Sequence, residues 1–177
     1  MSPDIEIIGD GCAALSLAAR ASELNHNIRL IKPSNAPTTN DHVWGFWSDP
    51  ILAAAQQLAR ATWQKWAIIT HNDCAVLSSE TRPYNAFKRS DWSEHCKGLA
   101  ELSKVTIVAE HEWEKSADSL LFDTRPPVVP NDCMLQHFQG IEVKTKQPCF
   151  DKDMAILMDF RVDQSKGMHF IYLLPYS

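Results

Sequence analysis

No stretch of this sequence approaches 18 consecutive apolar residues, so it offers no candidate transmembrane helix. Met1 to Glu6 has neither the basic start nor the apolar core of a secretion signal. No Lys/Arg run interleaves with aromatic residues, and the net charge is −5, which argues against a nucleic-acid groove. No C-x-x-C pair occurs among the five cysteines, Cys12, Cys74, Cys96, Cys133 and Cys149, and their odd number argues against a closed disulfide framework. Reduced thiols in a cytoplasmic setting are the expectation. The adjacent His95-Cys96 supplies two ligands where zinc needs three or four, so no metal is expected. Repeats and low-complexity tracts are missing as well.

What remains is a globular composition. Hydrophobic residues make up 45% of the 177 and charged residues 22%, enough to fold one core or part of a larger one. Asp4 to Ile8 is a short β-prone run that enters Gly9-Asp10-Gly11, and Cys12 to Leu24 is rich in Ala and Leu. Asn25-His26-Asn27 ends that helical stretch, and Ile28 to Ile31 is a second apolar run closed by Pro33. Strand, turn, helix and strand over residues 4–33 make a βαβ unit with parallel strands.

Further along, residues 33–50 read as a loop carrying the aromatic cluster His42-Val43-Trp44-Gly45-Phe46-Trp47. Ile51 to Arg60 has helical composition, and Trp66–Thr70 and Cys74–Ser78 flank His71-Asn72-Asp73 as a hairpin. Ser90 to Leu102 is expected to be a helix with Ser90 as its N-cap. Strands are expected at 105–109, 119–122, 139–146, 155–162 and 168–174, the last two paired antiparallel across Ser165-Lys166-Gly167.

Gly9-Asp10-Gly11-Cys12-Ala13-Ala14 fits G-x-G-x-x-A after a strand and before a helix, the setting of a dinucleotide turn. Gly9 allows the tight turn, Gly11 lets backbone approach a pyrophosphate, and Ala14 lets the helix pack on the sheet. Free N–H groups at Cys12 to Ala14 favour anionic phosphates. Asp10 places a carboxylate inside the turn. Where an acidic residue normally holds the ribose hydroxyls stands Lys32, which cannot accept a hydrogen bond but suits a phosphate of FAD or NADP.

Several segments together resemble the lycopene cyclase family, the flavin-dependent enzymes that close rings on a linear carotenoid. Ile7-Ile8-Gly9-Asp10-Gly11-Cys12-Ala13-Ala14-Leu15-Ser16-Leu17 is similar to that family's FAD fingerprint. Asn40 to Trp47 is similar to its aromatic motif, Phe122-Asp123-Thr124-Arg125-Pro126 to its Asp-x-Arg segment, and Gln136 to Glu142 to its Gln-x-Phe-x-Gly-x-Glu stretch. Met158 to Gln164, Gly167 and Phe170 to Ser177 complete the match in the family's order. Lys32 departs from the acidic residue usual there. Members are more than twice this length and carry an essential acidic motif past the position of Ser177, so the resemblance implies an N-terminal part whose catalytic centre is incomplete.

The resemblance implies an α/β fold, a Rossmann-type FAD/NAD(P)-binding domain with an inserted, mostly antiparallel β region, forming one domain over 1–177 with the substrate-side β region at about 135–177. It implies a non-redox reaction on lycopene or a related carotenoid. A proton adds to the terminal double bond, the carbocation cyclises to a β-ionone ring, and a proton is lost. Reduced FAD is the implied cofactor, NAD(P)H an indirect reductant, and the inner face of the membrane the surface from which a peripheral enzyme draws its apolar substrate. From the turn chemistry and the resemblance together, the expected cofactor contacts are Gly9, Gly11, Cys12, Ala13, Ala14, Lys32, His42, Trp44, Asp123 and Arg125.

Other readings of the same residues stand beside these. Trp44, Phe46 and Trp47 either line a polyene or flavin pocket or pack as core. His42 either bonds a ligand or forms a surface pair with Asp41. Arg125 either meets a ligand or pairs with Asp123 or Asp132. Glu142 and Asp159 are either catalytic acids raised by burial or plain solvent-facing carboxylates on strands. For the chain as a whole, a flavin oxidoreductase or monooxygenase on another apolar substrate, or an inactive nucleotide-binding fragment, are the alternatives.

Overall fold

The computed structural model describes residues 3–35 and 40–176, and these divide into two compact units. One unit comprises Met1–His42 and Arg89–Gln139, the other Val43–Lys88 and Gly140–Ser177. Among the described residues no helix is long and apolar enough to cross a membrane.

In the first unit, β1 (Ile5–Ile8) is a run of four buried residues at the centre of a wholly parallel sheet. It pairs with β2 (Ile28–Lys32) on one side and β9 (Leu120–Asp123) on the other, and β8 (Thr106–Ala109) lies outside β2. The order β8-β2-β1-β9 places the four strands as third, second, first and fourth in this unit, which matches the first four positions of the Rossmann strand order. Helices α1 (Cys12–Ala18), α2 (Ala21–Leu24) and α4 (Arg89–Leu102) belong to this unit. Ile5 and Ile7 of β1 and Ile28 and Leu30 of β2 pack with Ala14, Leu15, Ala18, Ala21, Cys96 and Ala100 of the helices. Alanines on the sheet-facing stripe of α1 let that helix approach closely.

On alternate positions of β1 the chemistry changes. Glu6 is wholly buried, and its carboxylate accepts hydrogen bonds from Trp113 Nε1 (2.9 Å), Ser116 N (3.1 Å), Ser119 Oγ (2.6 Å) and Arg29 Nη1 (3.2 Å). Burial alone would raise its pKa, but the bonds from Ser119, Trp113 and Ser116 and the Arg29 charge outweigh it and hold the carboxyl below its ordinary value. The carboxylate thereby ties the connection before β9 to β1 and β2.

The second unit holds two sheets. The antiparallel sheet β3-β7-β4 joins Val43–Trp47, Tyr84–Lys88 and Ala61–Trp63. The sheet β11-β10-β5-β6 joins Ile171–Leu173, Met154–Asp159, Lys65–Ile69 and Cys74–Ser78, antiparallel except for the β10–β5 pair. Trp63, Tyr84, Ala86, Ala155 and Leu157 form its core. Trp63 Nε1 donates to the Pro175 carbonyl at 3.2 Å, and buried Asn85 donates to Ser48 Oγ and the Pro83 carbonyl while accepting from Thr62 Oγ1. A polar group buried without such partners would cost about 1–3 kcal/mol.

The parallel βαβ unit, the 66–78 hairpin, the strands at 106–109 and 120–123 and the antiparallel final pair agree with the sequence reading. Four expectations are corrected. Residues 43–47 are a strand rather than part of a loop, because each of the five is in antiparallel register with a residue of β7. The stretch read as one helix over 51–60 is a 3₁₀ turn at Pro50–Leu52 followed by a short helix α3, Ala53–Gln57. No strand forms at 139–146; no regular element lies between Asp123 and Met154, and Ile141 and Val143 are exposed. Ser90 is not the N-cap of its helix, which begins at Arg89; instead Asp41 accepts from both Ser90 N and Ser90 Oγ at 2.9 Å.

Candidate functional site

The carboxyl ends of the parallel strands carry most of the candidate residues. β1 runs into Gly9, whose N–H donates to the Ile31 carbonyl at 3.0 Å, while Thr124 at the end of β9 donates to the Ile8 carbonyl through both N (2.9 Å) and Oγ1 (2.8 Å). The turn is therefore held from both neighbouring strands. Gly9 has φ +141°, a conformation that disfavours any side chain, and a Cβ there would run into the Thr124 hydroxyl. Gly11 differs. Its φ of −86° suits any residue, yet a Cβ there would meet nothing within 4 Å, so the space beside its backbone is open.

Gly11 caps α1 with no side chain bonded to the helix end, and Cys12 and Ala13 are exposed while Ala14 is fully buried. The first N–H groups of a helix have no partner within it. An exposed backbone, an open approach at Gly11 and a small buried residue at 14 fit a dinucleotide pyrophosphate. Asp10 is half-buried in this turn, and Lys32 is exposed at the end of β2.

Beyond β9, Asp123 accepts from Arg125 N (3.0 Å), Nε (2.9 Å) and Nη2 (2.7 Å), so the guanidinium lies folded against the carboxylate two residues before it. Arg125 Nη1 also donates to Glu110 Oε1 at 2.8 Å, and Glu110 Oε2 accepts from Ser34 N at 2.9 Å. The hydrogen bonds from Arg125 hold the Asp123 carboxyl below its ordinary range, and the pairing raises Arg125 in turn. Glu110 follows β8 and Arg125 follows β9, the two outermost strands, which three inter-strand spacings put about 14 Å apart. Their ion pair therefore reaches across the ends of β2 and β1. Sequence reasoning missed Glu110 and Thr124; only the strand order, which sets β8 beside β2 and β9 beside β1, brings them here.

The remaining candidates lie elsewhere. His42 is exposed, with Nδ1 3.0 Å from the Asn40 carbonyl, and its own carbonyl accepts from Arg89 N. Trp44 belongs to β3 in the other unit, where its ring meets Phe87 edge-on at 5.8 Å. Also in that unit, Glu142 is exposed and accepts from both terminal nitrogens of Arg60, while Arg161 Nη2 binds Asp159 at 2.7 Å. Hydrogen bonding to Arg60 lowers the Glu142 pKa, and hydrogen bonding to Arg161 lowers Asp159 to about 2. An acid that protonates an alkene needs the opposite shift. The Tyr84 and Tyr172 hydroxyls, 2.5 Å apart over Gly45, are further groups that the sequence did not single out.

Comparison with known proteins adds a family. The family model described as lycopene cyclase protein matches residues 4–177. No curated protein matches the chain. Among solved structures, a mutant of 2-methyl-3-hydroxypyridine-5-carboxylic acid oxygenase is 18% identical over 62% of this chain and 32% of that one, with a TM-score of 0.49. Peptidyl tryptophan dihydroxylase QhpG is 13% identical over 75% and 35%, with a TM-score of 0.48. The p-nitrophenol 4-monooxygenase PnpA from Pseudomonas putida DLL-E4 is 11% identical over 60% and 31%, with a TM-score of 0.47. The chain spans about a third of the length of each of these.

Proposed function

The chain belongs to the lycopene cyclase family, and from that premise we propose that it is the FAD-binding part of an enzyme that cyclises lycopene or a related carotenoid without net oxidation. The observation that carries the reading is the Gly9–Ala14 turn, set at the end of the central strand of a parallel sheet with open space at Gly11.

In this reading the backbone from Gly11 to Ala14 holds the pyrophosphate, and Ala14 keeps α1 close to the sheet. Asp123 positions Arg125 at the same edge, where its guanidinium can meet phosphate, and Lys32 brings a second cation nearby. When bound in reduced form, the flavin supplies negative charge against a developing carbocation in a water-poor site. His42 and Trp44 remain proposed contacts. Glu142 and Asp159 are poor proton donors because arginines hold both carboxyls ionised. Val128, Met134 and Phe138 stand largely exposed on one segment, which supports access to the substrate from a membrane surface.

The test of the reaction is conversion of lycopene in liposomes by the protein supplied with FAD and a reductant. A product of unchanged mass whose absorption moves to shorter wavelength supports cyclisation. A product that has gained oxygen contradicts it and favours a monooxygenase.

A further inference from the structure

We propose that Glu110 supplies the ribose-binding carboxylate that position 32 lacks, so that the adenosine ribose hydroxyls of the dinucleotide are held from β8 rather than from the end of β2. The inference rests on the dinucleotide reading of the Gly9–Ala14 turn and names the residue that completes it.

A Rossmann site holds the ribose with an acceptor at the carboxyl end of the second strand, because a diol needs a group that takes two O–H bonds. Lys32 occupies that end here, and an ammonium only donates. The strand next to β2 is β8, in register with Lys32 opposite Ala109, so Glu110 stands one residue beyond the Lys32 level. Its carboxylate is tied to this edge from two sides. Ser34 N, two residues past Lys32, donates to Oε2 at 2.9 Å, and Arg125 Nη1 donates to Oε1 at 2.8 Å.

A carboxylate has about four acceptor positions. Two are used by Ser34 and Arg125, two are left, and the side chain remains 31% exposed, so it is held in place without being closed off. Arg125 gives the arrangement its direction. It reaches from the end of β9 past β1, the strand that runs into Gly9, and so holds the carboxylate at the carboxyl edge of the sheet from which the Gly9–Ala14 turn starts. The Lys32 side chain is exposed at the end of β2 and has no hydrogen-bond or ion-pair partner among the described residues, leaving an ammonium available to a phosphate oxygen of the same ligand.

The experiment is a calorimetric titration of the full chain and of Glu110→Gln with ADP and with 2′-deoxy-ADP, beside an FAD titration of both and of Gly11→Trp. ADP is expected to bind the native chain about tenfold more tightly than 2′-deoxy-ADP, the worth of one hydrogen bond to a charged acceptor. Glu110→Gln is expected to weaken ADP about tenfold, to weaken 2′-deoxy-ADP, which keeps only the 3′-hydroxyl, by clearly less, and to weaken FAD in step with ADP. Equal loss of both ADP forms would make Glu110 a purely structural tie and overturn the assignment. So would equal binding of the two ligands by the native chain, an outcome that needs no variant to fold. FAD binding that Gly11→Trp abolishes and Glu110→Gln leaves untouched overturns this inference alone. Failure of the native chain to bind either FAD or ADP overturns the dinucleotide reading and this inference with it.

Discussion

Thr124 occupies the space that a side chain on Gly9 would need: its hydroxyl donates to the Ile8 carbonyl at 2.8 Å and lies where a Cβ at position 9 would be built. Strand β9 thus stabilises the first glycine of the turn from 115 residues further along the chain. Two separate costs follow for Gly9→Ala, a φ of +141° that a side chain disfavours and the collision with Thr124. The variant is expected to lose about 2–3 kcal/mol in chemical denaturation. Gly9→Ala with Thr124→Ala should recover the steric part only. Full recovery would mean that the backbone angle contributes nothing.

Glu6 sets an acid limit. Its folded pKa lies below the ordinary 4.5, so its contribution to stability is complete above that value and is lost as pH falls through the lower, folded pKa. Glu6→Gln removes the charge and leaves donors facing a partly donating amide, which should cost about 3 kcal/mol at pH 7. Thermal melts from pH 7 to pH 3 should show a steeper decline for the native chain than for Glu6→Gln. Parallel curves would contradict the burial and bonding described for this carboxylate.

Asp159 at the end of β10 and Glu142 in the irregular stretch before it should titrate as ordinary anions held by arginine. Carbon-13 NMR is expected to place Asp159 at about 2 and Glu142 below its ordinary 4.5. Asp159→Asn should leave any pH dependence of activity above pH 5 unchanged. A titration of either group above pH 6 would restore it as a candidate proton donor.

Thiol chemistry separates surface from core. Cys12, Cys74, Cys133 and Cys149 are exposed, whereas Cys96 of α4 is buried in the core that α4 shares with α1 and the sheet, where burial pushes its thiol up to about 11. Iodoacetamide at pH 8 should modify the four exposed cysteines in the folded chain and the fifth only after unfolding, as read by mass spectrometry. Saturating FAD should protect Cys12 among the four, because Cys12 lies in the phosphate-binding turn.

Much of the first unit was legible because its signals are local. Gly9, Gly11 and Ala14 mark a turn whose form depends on neighbouring residues, and the apolar runs of β1 and β2 on either side set the parallel pair. The hairpin around His71-Asn72-Asp73 is local too. What failed depends on distant partners. Val43–Trp47 lacks a polar alternation and contains Gly45, so it reads as a loop until Tyr84–Lys88 pairs with it. Residues 139–146 alternate like a strand, but with Ile141 and Val143 exposed and no partner strand the pattern stays unpaired. At the site, Lys32 was visible as a departure. Glu110 was not, because its bonds reach Ser34 and Arg125, 76 and 15 residues away.

The central claim is that the Gly9–Ala14 turn binds FAD, and an absorption titration of the full chain with FAD, set beside Gly11→Trp, tests it most directly. Position 11 has an ordinary φ and free space around it, so the variant should fold and melt like the native chain while filling the approach to the backbone. The account predicts a shifted, structured flavin spectrum in the native chain that disappears in Gly11→Trp. No bound flavin in the native chain, or equal binding by both, would contradict it.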